Sequence, residues 1–316
     1  MAKQNIKFDF MAYRKIAAIG SLVMVLASAL TLGINQLNWG LDFTGGTLVE
    51  VVFDAPAQPQ DVRSKLTDAG YDGHVVQYFG SDRDVLMRIP PQKGMSDRDN
   101  ARLGDRIFED LEKTYGDDAI ELRRSEFVGP AVGEELTNQG GLGLLAALAM
   151  VMLYIAFRFQ VKFAIGAVVA LFHDVAITLG FFSIFRWDFD LTVVAALLAV
   201  IGYSLNDTIV VSDRIRENFR KIRKASPIDV INISLNQTLG RTLVTSLTTL
   251  LVLMALFVLG GELIRGFAIG LILGVIIGTY SSIYVAANTM LALGINKEDL
   301  AVPIKEGQEV PDLLGS

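Results

Sequence analysis

Long apolar runs broken by short charged stretches dominate this chain. Six runs are long enough to span a bilayer, which takes ~20 helical residues. They cover residues 16–34, 141–157, 163–185, 191–211, 242–259 and 263–293. The last is long for one span, a surplus that tilt or an interfacial extension accommodates. Between the first two runs lies a polar segment, 35–138, with another rhythm. Residues 47–53 (TLVEVVF) alternate like a strand, and 61–70 put Val62, Leu66 and Ala69 at helical spacing before Gly70. Residues 73–79 and 84–90 are short strand patterns. Residues 96–116 are helical between Ser96, an N-cap, and Gly116, a stop, and 119–129 is again a strand. The order is βαββαβ, the ferredoxin-like order. The fold class is therefore a polytopic α-helical membrane protein, with six transmembrane helices and a ferredoxin-like βαββαβ domain inserted between helices 1 and 2.

The first run tests that assignment. Lys3, Lys7, Arg14 and Lys15 precede it, and Ala27-Ser28-Ala29 looks like a signal-peptidase site. The apolar run nevertheless continues to Ile34, which is span length, so a retained helix is expected. Orientation follows from the short loops. Arg158 and Lys162 flank one. Arg214, Arg216, Arg220, Lys221, Arg223 and Lys224 fill another, within a basic loop expected over 212–240, where Pro227 starts a short interfacial helix carrying Ile228, Ile231 and Leu235. The loops at 186–190 and 260–262 carry little positive charge. Both termini, 1–15 and the polar tail 294–316, are expected on the cytoplasmic side, and the inserted domain outside.

Composition sharpens this picture. Hydrophobic residues make up 52% of the 316-residue chain and charged residues only 20%, in clusters. The chain has no cysteine, which excludes disulfides, thiolate nucleophiles and cysteine-based metal sites. Its two histidines are too few for a histidine-rich metal site. Phosphate-loop, zincin and serine-elbow motifs are absent. No cofactor, metal or nucleic-acid partner is expected.

Candidate chemistry lies in polar residues within the apolar runs. Asp207, in IGYSLNDTIVVSDRIREN, sits about 25 Å along a helix from Asp190. A carboxylate there must be protonated, paired or facing a wet cavity, unless it lies near enough to the helix end to be solvated. Ser204, Asn206 and Thr208 surround it. Arg241 opens the fifth run at matching depth, ahead of the hydroxyl-rich Thr242, Thr245, Ser246, Thr248 and Thr249. The expectation is an Asp207–Arg241 pair, the arginine opposing the effect of desolvation on the acid. Arg241 has a plainer reading as a snorkelling positive-inside residue.

His173 and Asp174 lie mid-span in the third run, as part of a proton or water path or as an interhelical hydrogen bond. Neighbours on a helix point about 100° apart, so no simple contact between them is expected. Asp174 and Asp207 should differ in depth by roughly 9–10 Å, which argues against a two-aspartate protease. Gly266, Gly270, Gly274, Gly278, Ser282 and Ala286 make every fourth residue of the last run small. That is a close-packing face, without chemistry of its own, for a helix of this chain or another. Gly40-Leu41-Asp42-Phe43-Thr44-Gly45-Gly46 reads as a tight link between the first helix and the inserted domain.

GLDFTGG after the first run, EFVGPAVGEEL at 126–136, ALFHDV in the third and IGYSLNDTIVVSDRIRENFR in the fourth resemble the SecF side of the SecD–SecF family, within the RND (resistance–nodulation–division) superfamily. The resemblance covers essentially the whole chain. It implies one half of a pseudo-symmetric twelve-helix bundle, in the bacterial inner membrane, with SecD supplying the other half. It implies proton-motive-force use in late steps of protein export beside the SecYEG channel, with YajC and YidC as further neighbours and an unfolded polypeptide as the cargo. The family's proton-path residues match Asp207 and Arg241, and another essential aspartate of the family lies in SecD. His173, Asp174, Ser204, Asn206 and Thr245 would line a secondary path. Two rivals remain: a purely structural assembly subunit, and an RND-like half-transporter for a small molecule or lipid.

Overall fold

The computed structural model describes residues 8–296 apart from 93, 117, 159 and 223, so the tail expectation lies largely outside the described residues. In chain order the elements are α1 (Arg14–Ile34), β1 (Asn38–Trp39), α2 (Leu41–Thr44), β2 (Gly46–Phe53), α3 (Pro59–Asp68), β3 (Val75–Phe79), β4 (Ser81–Ile89), α4 (Asp97–Ala101), α5 (Leu103–Tyr115) and β5 (Ile120–Val128). There follow α6 (Pro130–Arg158), α7 (Val161–Phe185), β6 (Asp188–Phe189), α8 (Leu191–Lys221), α9 (Pro227–Leu259) and α10 (Arg265–Ala292). Among the described residues, six helices are long and apolar enough to cross a membrane: α1 with the 3-10 turn before it, and α6 to α10.

In the inserted domain β2 to β5 form one sheet in the order β3-β4-β2-β5, every neighbouring pair antiparallel. The alternation that predicts the strands also sorts their faces. Val49, Val51, Val85 and Met87 point to the side covered by α3 and α5, where Val62, Leu66, Ile107 and Leu111 close the core. Leu48 and Leu86 point the other way and meet Leu41 of α2.

That second face is where the domain joins the bundle. β1 and β6 pair as a short parallel ribbon, Asn38 against Asp188 and Trp39 against Phe189. Asp188 accepts from Asn38 and from Arg88 of β4, tying the sheet to the α7–α8 connection. Trp39, Phe43 and Phe189 pack edge-on and stacked beneath it, with centroids 5.5–6.0 Å apart. The GLDFTGG stretch is thus a link, as expected, and its glycines are sterically required. Gly46 has φ 125°, and a Cβ there would stand 2.5 Å from the carbonyl oxygen of Ile89.

In the bundle, α7, α8 and α10 bury the most surface, while α1, α6 and α9 stand outside them. The small-residue stripe of α10 lies along α8. Gly266 meets Val193, Gly270 meets Ala196, Gly274 meets Val200 and Gly278 meets Ser204, so the two helices run parallel and in register.

Two expectations fail at the basic end. The loop over 212–240 is mostly helix: α8 runs on to Lys221 and α9 already starts at Pro227. Charge does not stop α8, because Arg214, Glu217 and Lys221 pair at helical spacing, and Ser226 with Asp229 forms a capping box for α9. Nor is there a separate interfacial helix among the described residues. Ile231 and Leu235 are buried with Ile215 and Phe219, and Asn232 and Asn236 accept the backbone N–H groups of Phe10 and Phe8. Likewise α6 begins at Pro130, eleven residues before the apolar run.

The stripe sets a measurable expectation. A side chain at Gly274 would place its first carbon 2.0 Å from a Val200 methyl. Gly274→Leu should cost about 1–3 kcal/mol or more through overpacking, lowering the melting temperature of the detergent-solubilised protein. Gly143→Ala, where no atom lies within 4 Å, should not lower it. Equal melting of Gly274→Leu and wild type would contradict this packing.

Candidate functional site

α8 carries the central residue and is anchored at its start. Asp190 caps it, accepting the N–H of Val193 at 3.0 Å, while Asp42 of the GLDFTGG stretch accepts that of Leu191 at 3.0 Å. The helix then runs unbroken past Asp207. The Asp207 side chain is buried, at 6% exposure, and points into the seam of α8, α9 and α10. Thr242 of α9 donates to one carboxyl oxygen at 2.7 Å, and Ser282 of α10 donates to the other. Ser282 is the fifth small residue of the stripe. The packing face therefore does carry chemistry, which its size pattern alone does not reveal.

The expected Asp207–Arg241 pair is not formed. Thr242, one residue on, takes the contact, and Arg241 lies on the exposed side of α9 with no ion pair among the described residues. A one-residue step turns a side chain by about 100°, so the same depth does not mean the same face. Asn206 and Thr245 are exposed on the outer surface too, and the Thr245 hydroxyl donates back to its own helix at Arg241 and Thr242. Arg241, Thr245 and Thr248 recur at helical spacing and are exposed, giving α9 a polar outer stripe.

A second carboxylate lies deeper in the bundle. Asp174 of α7 is fully buried, at 0% exposure. One oxygen accepts from Ser204 of α8 and, at 2.7 Å, from Ser281 of α10. The other lies 2.9 Å from Nδ1 of His173. The two neighbours are thus in contact, contrary to expectation: the imidazole is long enough to fold back along the helix. The expected depth gap between the carboxylates also shrinks. Asp174 bonds Ser204, only three residues and about 4.5 Å of rise from Asp207. Adjacent serines of α10, 281 and 282, serve one acid each.

The site thus consists of two buried carboxyl groups, each held by hydroxyls from neighbouring helices. Hydroxyls can donate to a carboxylate or accept from a carboxylic acid, so the surroundings suit either protonation state. Buried polar atoms without a partner include Nε2 of His173 and Oγ1 of Thr208. Among the described residues no cluster of acidic and histidine side chains has the make-up of a metal site. A cavity of about 500 Å³ opens elsewhere, between the sheet and the bundle end, lined by Leu48, Leu86, Arg88, Asp188 and Gly266.

Direct contact between Thr242 and Asp207 predicts coupling. In a double-mutant cycle of Thr242→Val and Asp207→Leu, the threonine substitution should cost about 1–3 kcal/mol with the acid present, and clearly less with leucine, which offers no acceptor. Thermal unfolding of the purified protein reads this. Additive effects would contradict the contact.

The comparisons with known proteins agree with one another. The model of the "protein export membrane protein SecD/SecF, C-terminal" family matches residues 107–296, and that of the "SecD/SecF GG motif" matches 31–57. A protein translocase subunit SecF of Vibrio alginolyticus is 52% identical, over 96% of each chain. One of Pseudomonas aeruginosa is 47% identical over 95% of this chain and 96% of its own. The crystal structure of SecDF, a translocon-associated membrane protein from Thermus thermophilus, matches with a TM-score of 0.80 at 36% identity, over 93% of this chain and 39% of that one. A second SecDF structure, in a super-membrane-facing form, matches at a TM-score of 0.65 and 37% identity, over 90% of this chain and 38% of that one. This chain therefore spans about two fifths of the SecDF chains. With six membrane-length helices, the matched stretch around Gly45-Gly46 and near full-length similarity to SecF subunits, it belongs to the SecD/SecF family of protein export membrane proteins, on the SecF side.

Proposed function

We propose that this chain works with a SecD partner as a proton-driven unit that promotes late steps of protein export across the bacterial inner membrane. The observation that carries the reading is the state of Asp207: 6% exposed, both oxygens bonded to neutral hydroxyls, and no cation in contact among the described residues. A buried carboxylate without a counter-charge is costly, so a proton on it offsets much of that cost. The transmembrane potential supplies about 2.3 kcal/mol per charge per 100 mV. That is enough for a few protons to bias a conformational equilibrium.

The outer polar stripe of Arg241, Thr245 and Thr248 on α9, together with exposed Asn206 on α8, is unsuited to lipid and supports a second half-bundle seated there. SecD fits that place, since the matching solved chains are SecDF and extend well beyond this one. Arg241 then faces the partner side, where it would set the charge beside the proton path. SecYEG, YajC, YidC and the unfolded cargo enter through the family alone. Charge asymmetry of the loops favours both termini on the cytoplasmic side. The inserted domain is then periplasmic. Its βαββαβ order and β3-β4-β2-β5 antiparallel sheet support a ferredoxin-like fold.

In the cycle, Asp207 takes a proton and loses its charge. Its hold on Thr242 and Ser282 weakens, and α8 shifts against α9 and α10. The start of α8 is tied to the inserted domain through Asp42 and through Asp188 with Arg88, so the domain follows. It serves as a base, and the larger movement falls to the partner's domains. Across this chain the step moves only a proton and makes or breaks no other covalent bond.

The test is gradient-dependent export into vesicles holding this chain with SecD. Asp207→Asn and Arg241→Met should each remove most of the stimulation by the gradient while the complex assembles normally. Unchanged stimulation in both would refute the reading and leave a structural subunit. Export defects confined to one small solute would favour the half-transporter.

A further inference from the structure

We propose that His173 and Asp174 hold one exchangeable proton between them and form a second proton site within this chain, in series with Asp207. The inference rests on the proton-driven reading above. It starts from a balance that no arrangement of protons satisfies. With only the imidazole's own proton, placed on Nδ1, the pair carries a net negative charge at exposures of 3% and 0%. With one more proton the pair is neutral: as imidazolium beside carboxylate, as carboxylic acid donating to Nδ1, or as carboxylic acid donating to a serine hydroxyl while Nδ1–H donates to its other oxygen. Nε2 bears an N–H in the first two and is a bare acceptor in the third, and in each that atom is buried with no protein partner. The state without the added proton is charged, and every state leaves Nε2 unpaired. Each state carries its own cost, and a proton can pass between the two residues along the contact they share.

The surroundings place hydroxyls on both sides of the pair. Facing the pair, α10 presents Tyr280, whose ring lies 6.1 Å from the imidazole, and Ser281, while α8 presents Ser204. The Tyr280 hydroxyl reaches Ser21 and the carbonyl of Ala17 on α1. These hydroxyls lie toward α1, and none of them bonds the imidazole. On the other side, Ser281 bonds the pair's carboxyl group, and Ser282, the next residue of α10, bonds that of Asp207. Asp207 and Tyr280 are the titratable groups next to the pair, and no lysine or arginine touches it among the described residues. The transfer is balanced: a proton enters at Nε2, the Nδ1 proton passes to Asp174, and Asp174 releases one proton toward Asp207 across the gap between Ser281 and Ser282, which a bridging water would close. The imidazole then returns from the Nε2–H to the Nδ1–H form before the next proton. No other bond changes.

The chain has two histidines, so labelling the imidazole nitrogens with 15N gives two sets of signals, and His74→Ala identifies that of His173. In the assembled complex the His173 signals should change form between acidic and alkaline pH, by loss of a proton or by a switch of tautomer. One fixed form throughout would overturn the proposal. Export is the second readout. Asp174→Asn keeps an oxygen for Ser204 and Ser281 and an amide N–H for His173, so a purely structural role survives it. If the pair carries protons, this variant loses gradient stimulation at equal assembly. Retained stimulation overturns the proposal even when Asp207→Asn is inactive. Loss in Asp174→Asn with an active Asp207→Asn would keep this site and discard Asp207 instead.

Discussion

The close approach of α10 to α8 underlies the rest of the bundle. Gly266, Gly270, Gly274 and Gly278 leave no side chain between the helices, so Val193, Ala196, Val200 and Ser204 rest directly on the α10 backbone. Without a hydrophobic drive between helices in lipid, such contact supplies much of the packing energy. It also brings Ser281 and Ser282 within reach of acids on α7 and α8. A bulky residue in the stripe would prise the hydroxyls from both carboxyl groups together. Packing and the bonding of the two buried acids therefore share one surface, and a shift between α8 and α10 necessarily changes the bonding of both.

The same helix carries that shift outward. α8 begins directly after β6, and its first turn is held by Asp190 and by Asp42 from the inserted domain's leading segment. Arg88 reaches from the sheet to Asp188 two residues earlier, and the Trp39–Phe43–Phe189 cluster fills the space beneath. Loops between domains are commonly compliant. Here the connection is a ribbon, an ion pair and an aromatic cluster on the axis of the helix that holds Asp207. Movement of α8 has little slack to take up before it reaches the sheet.

Much of this was legible in the sequence, for physical reasons. A bilayer demands long apolar helices, so run length located all six, and strand patterns located the four strands of the inserted sheet, while the two-residue β1 and β6 are too short to leave a pattern. The pattern failed where helices outlast their apolar part. Arg214, Glu217 and Lys221 sustain α8, and a capping box launches α9, through residues that hydropathy reads as a loop. Asp207 stood out because a carboxylate in an apolar run is costly. Its partners did not. Depth along a helix can be counted from sequence, but the direction a side chain faces depends on neighbouring helices, and so Thr242 rather than Arg241 makes the contact. Ser282 was visible as a small residue, yet small size and hydroxyl chemistry are the same atom in a serine. The His173–Asp174 contact needed side-chain reach, which spacing does not encode.

The central claim is that Asp207 binds and releases a proton inside the bundle. Infrared difference spectroscopy on the assembled complex, with and without a proton gradient, tests it most directly, because a protonated carboxyl group has its own C=O band. The account predicts a carboxylic-acid band that changes with the gradient in the wild type and is missing in Asp207→Asn. Identical difference spectra for the two proteins would contradict it.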